Sequence, residues 1–247
     1  MADHNSSLSP NPDPARSAVA VAGREEEREE EKEDEQLEEL ASIVDKYGFI
    51  RSSGDANISA DAPVLSKPEA RKENAKLVRH ERKWSKMTSN WDDWVLSQRR
   101  QGKIKERCRK GIPESMRGKA WQSLCGSLTH PDRKQRPDLF YVLAEQEYAA
   151  DDPLQKFFDV IEKDLNRTFP HHIFFKDVDG FGQANMRKVL RAYVGYDPDL
   201  GYCQGMGFVT GTLLMYMPAE EAFWCLVRLM QQVRLFIEMG RGRKMLV

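Results

Sequence analysis

Long apolar runs are missing from this chain, and so are the marks of an exported protein. No stretch approaches the roughly 18–20 apolar residues needed to cross a bilayer. The best, Phe208 to Met217, is about one core helix long and is interrupted by Thr210, Gly211 and Thr212. The first residues, MADHNSSLSPNPDP, hold neither a basic segment nor an apolar one, so they do not read as a secretory signal. Cysteine is scarce. Cys108, Cys125, Cys203 and Cys225 are widely spaced, with no CxxC and no histidine at metal-ligand spacing. That argues against a zinc module or a disulfide scaffold and points to a cytosolic protein with reduced thiols, in which the sequons at Asn5, Asn57 and Asn166 carry no weight. Alternating strand runs, hairpin signals and internal repeats are absent too, as is the GxxxxGK[ST] pattern of a nucleotide-binding loop.

What is present is charge, unevenly divided. Of 247 residues, 31% are charged and 40% hydrophobic, and the formal net charge is −1. Residues 1–60 carry 15 acidic and 6 basic side chains, so the near-neutral total hides an acidic arm joined to a basic body. The arm, residues 1–67, is expected to be disordered: 1–23 are rich in Ser, Pro and Ala, Arg24 to Glu39 is an almost unbroken acidic block, and 51–67 read as a linker. Leu37, Leu40, Ile43 and Val44 interrupt it with a short apolar face that ends at Lys46-Tyr47-Gly48-Phe49.

Folding is expected from Pro68, with a helical preface over 68–110. Trp84, Trp91 and Trp94 fall at offsets of seven and ten, which places them on one helical face, and Asn90 is a candidate helix cap. Arg99 to Lys110 holds seven basic residues and one acid. Without interleaved aromatics or a recognised module it does not read as nucleic-acid binding. It reads as a solvated basic helix end, with contact to a membrane surface or an acidic scaffold as the other reading. From Gly111 onward the pattern is helical: 115–125 with Met116, Ala120, Trp121 and Leu124 on one face and Gly126 closing it, then 139–149, 153–167, 186–194, 205–217 and 219–236. The fold class is all-α.

Two constellations stand out from this background. Asp164 and Arg167 lie three apart ahead of Pro170, which puts them on one side of a helix with the arginine in its last turn. An arginine there can be steered by the aspartate and still reach outward, though a plain surface ion pair has the same spacing. The second is Asp197-Pro198-Asp199-Leu200-Gly201-Tyr202-Cys203-Gln204-Gly205-Met206-Gly207, where three glycines in seven residues permit close approach of another backbone or a ligand. A packing turn would look alike. Gln204 offers one acceptor and two donors, suited to holding a water and a phosphate oxygen together. Cys203 lacks a neighbouring histidine to activate it and reads as a buried thiol. An exposed arginine and glutamine in a helical protein suit stimulation of GTP hydrolysis on a partner GTPase. An arginine supplied in trans is worth about 10³–10⁵ in rate there.

Three motifs in order carry a resemblance. Arg109-Lys110-Gly111-Ile112-Pro113 with Arg117, Trp121, Leu124 and Gly126, then Ile161, Asp164 and Arg167 as IxxDxxR, then Tyr202-Cys203-Gln204-Gly205 as YCQG resemble the signature of the TBC domain. Tyr47-Gly48-Phe49, Trp84, Met87, Trp91 and Trp94 further resemble the TBC group that includes ezrin-scaffold-binding members. The resemblance implies an all-helical domain, 111–247, that accelerates GTP hydrolysis by Rab GTPases in vesicle traffic, in the cytoplasm or peripherally on membranes. It implies Arg167 as an arginine finger, Gln204 as a glutamine finger and Asp164 as the residue that orients Arg167, with Arg117, Trp121 and Gly205 structural. It implies no cofactor of the chain's own, since GTP and Mg²⁺ belong to the Rab.

The resemblance runs over about Gly111 to Leu229. TBC domains continue through further helices after YCQG, whereas this chain ends 43 residues after Gln204 on QQVRLFIEMGRGRKMLV. A domain incomplete at its C-terminal end is therefore expected, with apolar faces of Gly182 to Leu235 left uncovered. Two activities follow from that: a Rab activator, or a non-catalytic fragment that binds a Rab or a scaffold.

Overall fold

The computed structural model describes residues 44–45, 47–50 and 66–242, with side chains as far as 237. It divides into two units, the first ending at Ala56. In the first unit, Asp45 organises a tight turn. Its Oδ1 accepts from the N–H groups of Tyr47 (2.8 Å) and Phe49 (2.9 Å), Gly48 takes a φ of 90°, and an isolated bridge pairs Val44 with Ile50. This turn lies within the stretch expected to be disordered. The rest of that expectation, and the acidic block with it, lies outside the described residues.

The second unit is helical. Helix α1 (Lys67–Thr88) opens where Glu69 Oε2 accepts from the Ser66 N–H (3.0 Å) and hydroxyl (2.6 Å), an arrangement that satisfies a donor at the helix start. Helices α2 (Trp91–Leu96) and α3 (Gln98–Arg109) follow. The three tryptophans share one core but not one helix, because α1 ends at Thr88 and a turn precedes α2. Trp84 and Met87 are fully buried against Ala120, with Trp91, Trp94, Ile104 and Met116 around them. Asn90 sits ahead of α2, but it is its backbone carbonyl that accepts, from Trp94 N–H at 3.3 Å.

Beyond Gly111 a short 3-10 turn leads into α4 (Arg117–Cys125), which Gly126 closes at φ 76°. Short helices α5 (Pro131–Gln135) and α6 (Leu139–Glu145) precede α7 (Gln155–Leu165), α8 (Phe181–Tyr196), α9 (Met206–Leu214) and α10 (Ala219–Gly242). Helix α8 is the centre of the unit, and α6, α7, α9 and α10 all pack on it. Met186, Val189, Leu190, Ala192, Tyr193 and Val194 are buried over a broad face of it, while Phe181 and Lys188 are exposed.

Two expectations about packing change. Leu124 is exposed, and α4 instead buries Gln122 and Ser123; the Gln122 amide N–H donates to Glu221 Oε2 at 2.7 Å, while its carbonyl oxygen is buried without a hydrogen-bond partner. The faces of Gly182 to Leu235 are mostly covered. Their exposed large apolar side chains are Phe208 on α9 and Val233 and Leu235 late in α10, and Phe236 and Ile237 just beyond are exposed too.

Candidate functional site

The site forms where two chain segments meet at the end of α7. That helix stops at Leu165, so Arg167 lies just past its last turn rather than within it. The chain turns tightly there: Arg167 N–H bonds Asp164 O, and the buried Thr168 hydroxyl donates to the same carbonyl at 2.7 Å. Phe169 then takes a positive φ of 52°, uncommon for a bulky residue, and its ring packs against Phe175 and Phe208. The aromatic contacts hold that strained turn, and with it the backbone of Arg167.

The second segment is the loop from Asp197 to Gly205. Gly201 adopts φ +61° with its Cα directly over the Phe157 ring, where a Cβ would lie 2.3 Å from a ring carbon. Tyr202 is therefore carried inward, and its hydroxyl donates to Asp164 Oδ2 at 2.7 Å. Burial, then the hydrogen bond to Asp164, pushes the phenol pKa up. Gly205, at φ +102°, turns the chain into α9 and leaves Gln204 exposed.

Asp164 joins the two segments. Its carboxylate is almost buried, with Oδ1 accepting from Arg167 Nε (2.7 Å) and Nη2 (2.5 Å) while Oδ2 accepts from Tyr202. Both oxygens are thus satisfied by a cation and a phenol, the condition under which a buried carboxylate is tolerated. The arginine side chain remains 53% exposed. With the Gln204 amide oriented by its surroundings, Oε1 accepts from Arg167 Nη2 (2.9 Å) and Nη1 (3.2 Å). A surface guanidinium and a surface amide therefore sit together, the first fixed from below by a carboxylate. The pair offers donors for an anionic oxygen and an amide for a water; it holds no nucleophile of its own. Beside it runs a groove of about 580 Å³ lined by Leu200, Met206, Met230, Val233 and Ile237, with Gln204 at its rim.

Comparison with known proteins fixes the family. The Rab-GTPase-TBC domain profile matches residues 114–242. The chain belongs to the TBC family. It is similar to mouse TBC1 domain family member 10B, 47% identical over 186 residues, covering 75% of this chain and 21% of that protein. The Rab GTPase-activating protein tbc-11 of Caenorhabditis elegans is 33% identical over 185 residues, 73% of this chain and 18% of its own length. A solved structure, the Chlamydomonas flagellar RabGAP TBC domain, superposes with a TM-score of 0.49 at 23% identity, covering 76% of this chain and 58% of that one. The chain thus spans about a fifth of the length of the two curated relatives. The family match extends through residue 242, beyond Leu229, where the sequence resemblance stopped.

Within this TBC chain, the three motif segments have different surroundings. Arg117 donates to the Tyr216 hydroxyl (2.5 Å), faces Glu114 (3.5 Å) and lies over the Tyr216 ring, which also stacks edge-on with Trp121 at 5.0 Å. These contacts tie α4 to the end of α9. Arg167 and Gln204 meet instead at the surface. Cys203 is exposed, not buried as its sequence suggested. Tyr202 and Thr168 were missed as positioning residues; the one available signal for Tyr202 was its place two residues before Gln204, and its bond to Asp164 spans 38 positions.

The basic segment Arg99–Lys110 forms α3, and part of its charge is already engaged. Arg107 Nη1 donates to Lys83 O (2.8 Å), the Arg100 and Arg107 guanidinium groups lie 5.6 and 4.6 Å from the Trp94 ring centre, and Lys110 pairs with Glu106 at 2.6 Å. Among the described residues, no helix is long and apolar enough to cross a membrane and no group of three or more His, Cys, Asp or Glu could hold a metal ion.

Proposed function

We propose that this TBC chain is a GTPase activator for Rab proteins that supplies Arg167 and Gln204 in trans. The observation that carries the reading is their contact: an exposed guanidinium, anchored by Asp164, bonded to an exposed amide. GTP hydrolysis by small GTPases is limited by charge developing on the phosphates and by a poorly held attacking water. Arg167 would enter the partner's phosphate site and neutralise that charge. Gln204 would orient the water, its carbonyl accepting from the water and its amide N–H donating toward the γ-phosphate.

In the free chain the Gln204 carbonyl is occupied by Arg167. Engagement of a Rab would therefore separate the two side chains, exchanging one surface hydrogen-bonded pair for contacts to phosphate and water. Asp164 and Tyr202 remain behind and hold the arginine stem, so its reach is set before the partner arrives. GTP and Mg²⁺ come with the Rab. Vesicle-traffic regulation follows from that partner class, and the free charges of α3, Arg99, Lys103, Lys105 and Arg109, are available for a membrane surface or an acidic scaffold.

Single-turnover GTP hydrolysis across a panel of Rab proteins tests the reading, with the chain beside its Arg167→Ala and Gln204→Ala variants. Stimulation of at least 100-fold on one Rab or more, lost in Arg167→Ala, is expected. A folded chain that binds a GTP-loaded Rab without accelerating it overturns the activator reading in favour of a non-catalytic binding fragment.

A further inference from the structure

Cys125 and Cys225 take no part in the site described above, yet they face one another. Cys125 is the last residue of α4 and Cys225 lies in the second turn of α10, and their sulfurs are 3.7 Å apart. The junction is already held: Arg228 Nε and Gln232 Nε2, both on α10, donate to the Cys125 carbonyl at 3.1 and 3.3 Å. Both thiols line an open cavity of about 570 Å³ whose other walls include Trp121, Leu124, Val209 and Leu229. The sulfurs differ in character. The hydrogen bond between them pulls Cys125 below the ordinary thiol range, with Ser127 and the Arg228 charge acting the same way against burial; that bond and burial push Cys225 up. Ser127 Oγ lies 3.4 Å from Cys225 Sγ.

We propose that Cys125 and Cys225 form a redox-active thiol pair, oxidised to a disulfide by a neutral hydroperoxide that enters the apolar cavity they line. The Cys125 thiolate attacks the terminal oxygen of ROOH; the O–O bond breaks, and the RO⁻ leaving group takes up a proton as ROH. The Cys125 sulfenic acid so formed is attacked by the Cys225 sulfur, the S–O bond breaks, and hydroxide leaves as water with the Cys225 proton. In total, two thiols and one hydroperoxide give one disulfide, one ROH and one water, the peroxide being reduced and the two sulfurs oxidised. Forming the bond brings the sulfurs to about 2.05 Å and the Cβ atoms to about 3.5–4.5 Å. Cys125 ends its helix at Gly126, whose left-handed backbone breaks the α-helical path, and the bonds from Arg228 and Gln232 to its carbonyl keep it beside α10. The apolar walls favour an uncharged oxidant, and the bond formed would staple α4 to α10 around the segment that contains Arg167 and Gln204.

The test is peptide mapping of the full chain after one equivalent of either hydrogen peroxide or cumene hydroperoxide. A Cys125–Cys225 linkage is expected as the main product, with two of the four thiols lost and both restored by dithiothreitol. Guanidinium unfolding should abolish the preference. Linkage with hydrogen peroxide alone identifies an aqueous oxidant, and linkage with cumene hydroperoxide alone an organic one; each supports the pair. In Cys225→Ser, or Cys225→Ala should that variant fold better, dimedone should trap Cys125 as its sulfenic acid. The proposal is overturned if both residues stay reduced with both oxidants while Cys203 or Cys108 is modified, or if the linkage appears only in unfolded protein.

Discussion

Arg167 and Gln204 meet at the surface; with its carbonyl turned toward the guanidinium, the Gln204 amide accepts from Nη2 of the arginine at 2.9 Å. Asp164 lies beneath them. One of its oxygens holds the Arg167 turn and the other holds Tyr202, two residues before Gln204. A single carboxylate thus sets the spacing of two side chains contributed by separate elements.

Arg167→Ala should lower both stability and stimulated hydrolysis. Removing the side chain leaves the almost buried Asp164 carboxylate with Tyr202 as its remaining partner, so a stability loss of about 1–3 kcal/mol is expected beside the kinetic one. Stimulated hydrolysis should fall by 10³-fold or more if the arginine acts as a finger. Urea unfolding and single-turnover kinetics on the same preparations check both halves.

Asp164→Ala should reduce stimulated hydrolysis although both proposed fingers remain. Arg167 can rehydrate once the carboxylate is gone, whereas the buried Tyr202 hydroxyl loses its acceptor. A loss of about 1–3 kcal/mol is expected from that orphaned donor, measured as a shift in urea midpoint at unchanged slope. Guanidinium added to the assay should rescue Arg167→Ala better than Asp164→Ala, because only the first leaves the arginine position empty above an intact carboxylate.

The loop glycines should differ in cost. Alanine at Gly201 would adopt φ +61° and place its Cβ 2.3 Å from the Phe157 ring, while at Gly205 the φ of +102° is unfavourable but no atom lies within 4 Å. Backbone strain alone is worth about 1–2 kcal/mol, and forced repacking adds about 1–3 kcal/mol. Gly201→Ala should therefore destabilise more than Gly205→Ala in parallel urea titrations. The reverse order would place the main constraint on Gly205.

Alkaline pH should weaken the fold through three phenols, two of them buried and the third partly buried. Burial raises the pKa of Tyr193, Tyr196 and Tyr202, with Asp197, Asp132 and Asp164 respectively adding to it. Below about pH 10 all three are protonated in both states and the stability is complete. Above it the unfolded chain loses protons that the folded chain keeps, so stability falls by about 1.4 kcal/mol per pH unit for each tyrosine. Tyr202→Phe should lower that slope by about a third, read from urea midpoints between pH 9.5 and 11.

The reading of helices from period three and four was good where a helix buries one stripe. At α7 the apolar residues Leu154, Phe157, Phe158, Ile161 and Leu165 recur at three and four; the last three are buried and the first two partly so. It was poorer where packing partners are polar or distant. Leu124 has the right spacing on α4 and is exposed, because Gln122 and Cys125 meet α10 instead. The tryptophans at offsets of seven and ten do cluster, but a turn at Ser89-Asn90 divides them between α1 and α2, and spacing alone carries no record of a chain reversal that preserves the contact.

By itself the sequence determined the all-α class, the TBC family and the two segments that carry Arg167 and Gln204, because helical periodicity and short motifs are local properties of the chain. Only the tertiary structure decided that the two side chains touch, that Asp164 is shared between Arg167 and Tyr202, and that Cys125 faces Cys225. Apart from Asp164 with Arg167, those contacts span from 37 to 100 positions. They depend on how α7, α8, α9 and α10 pack, and packing is settled by the fit of whole helix surfaces rather than by any one stretch of residues.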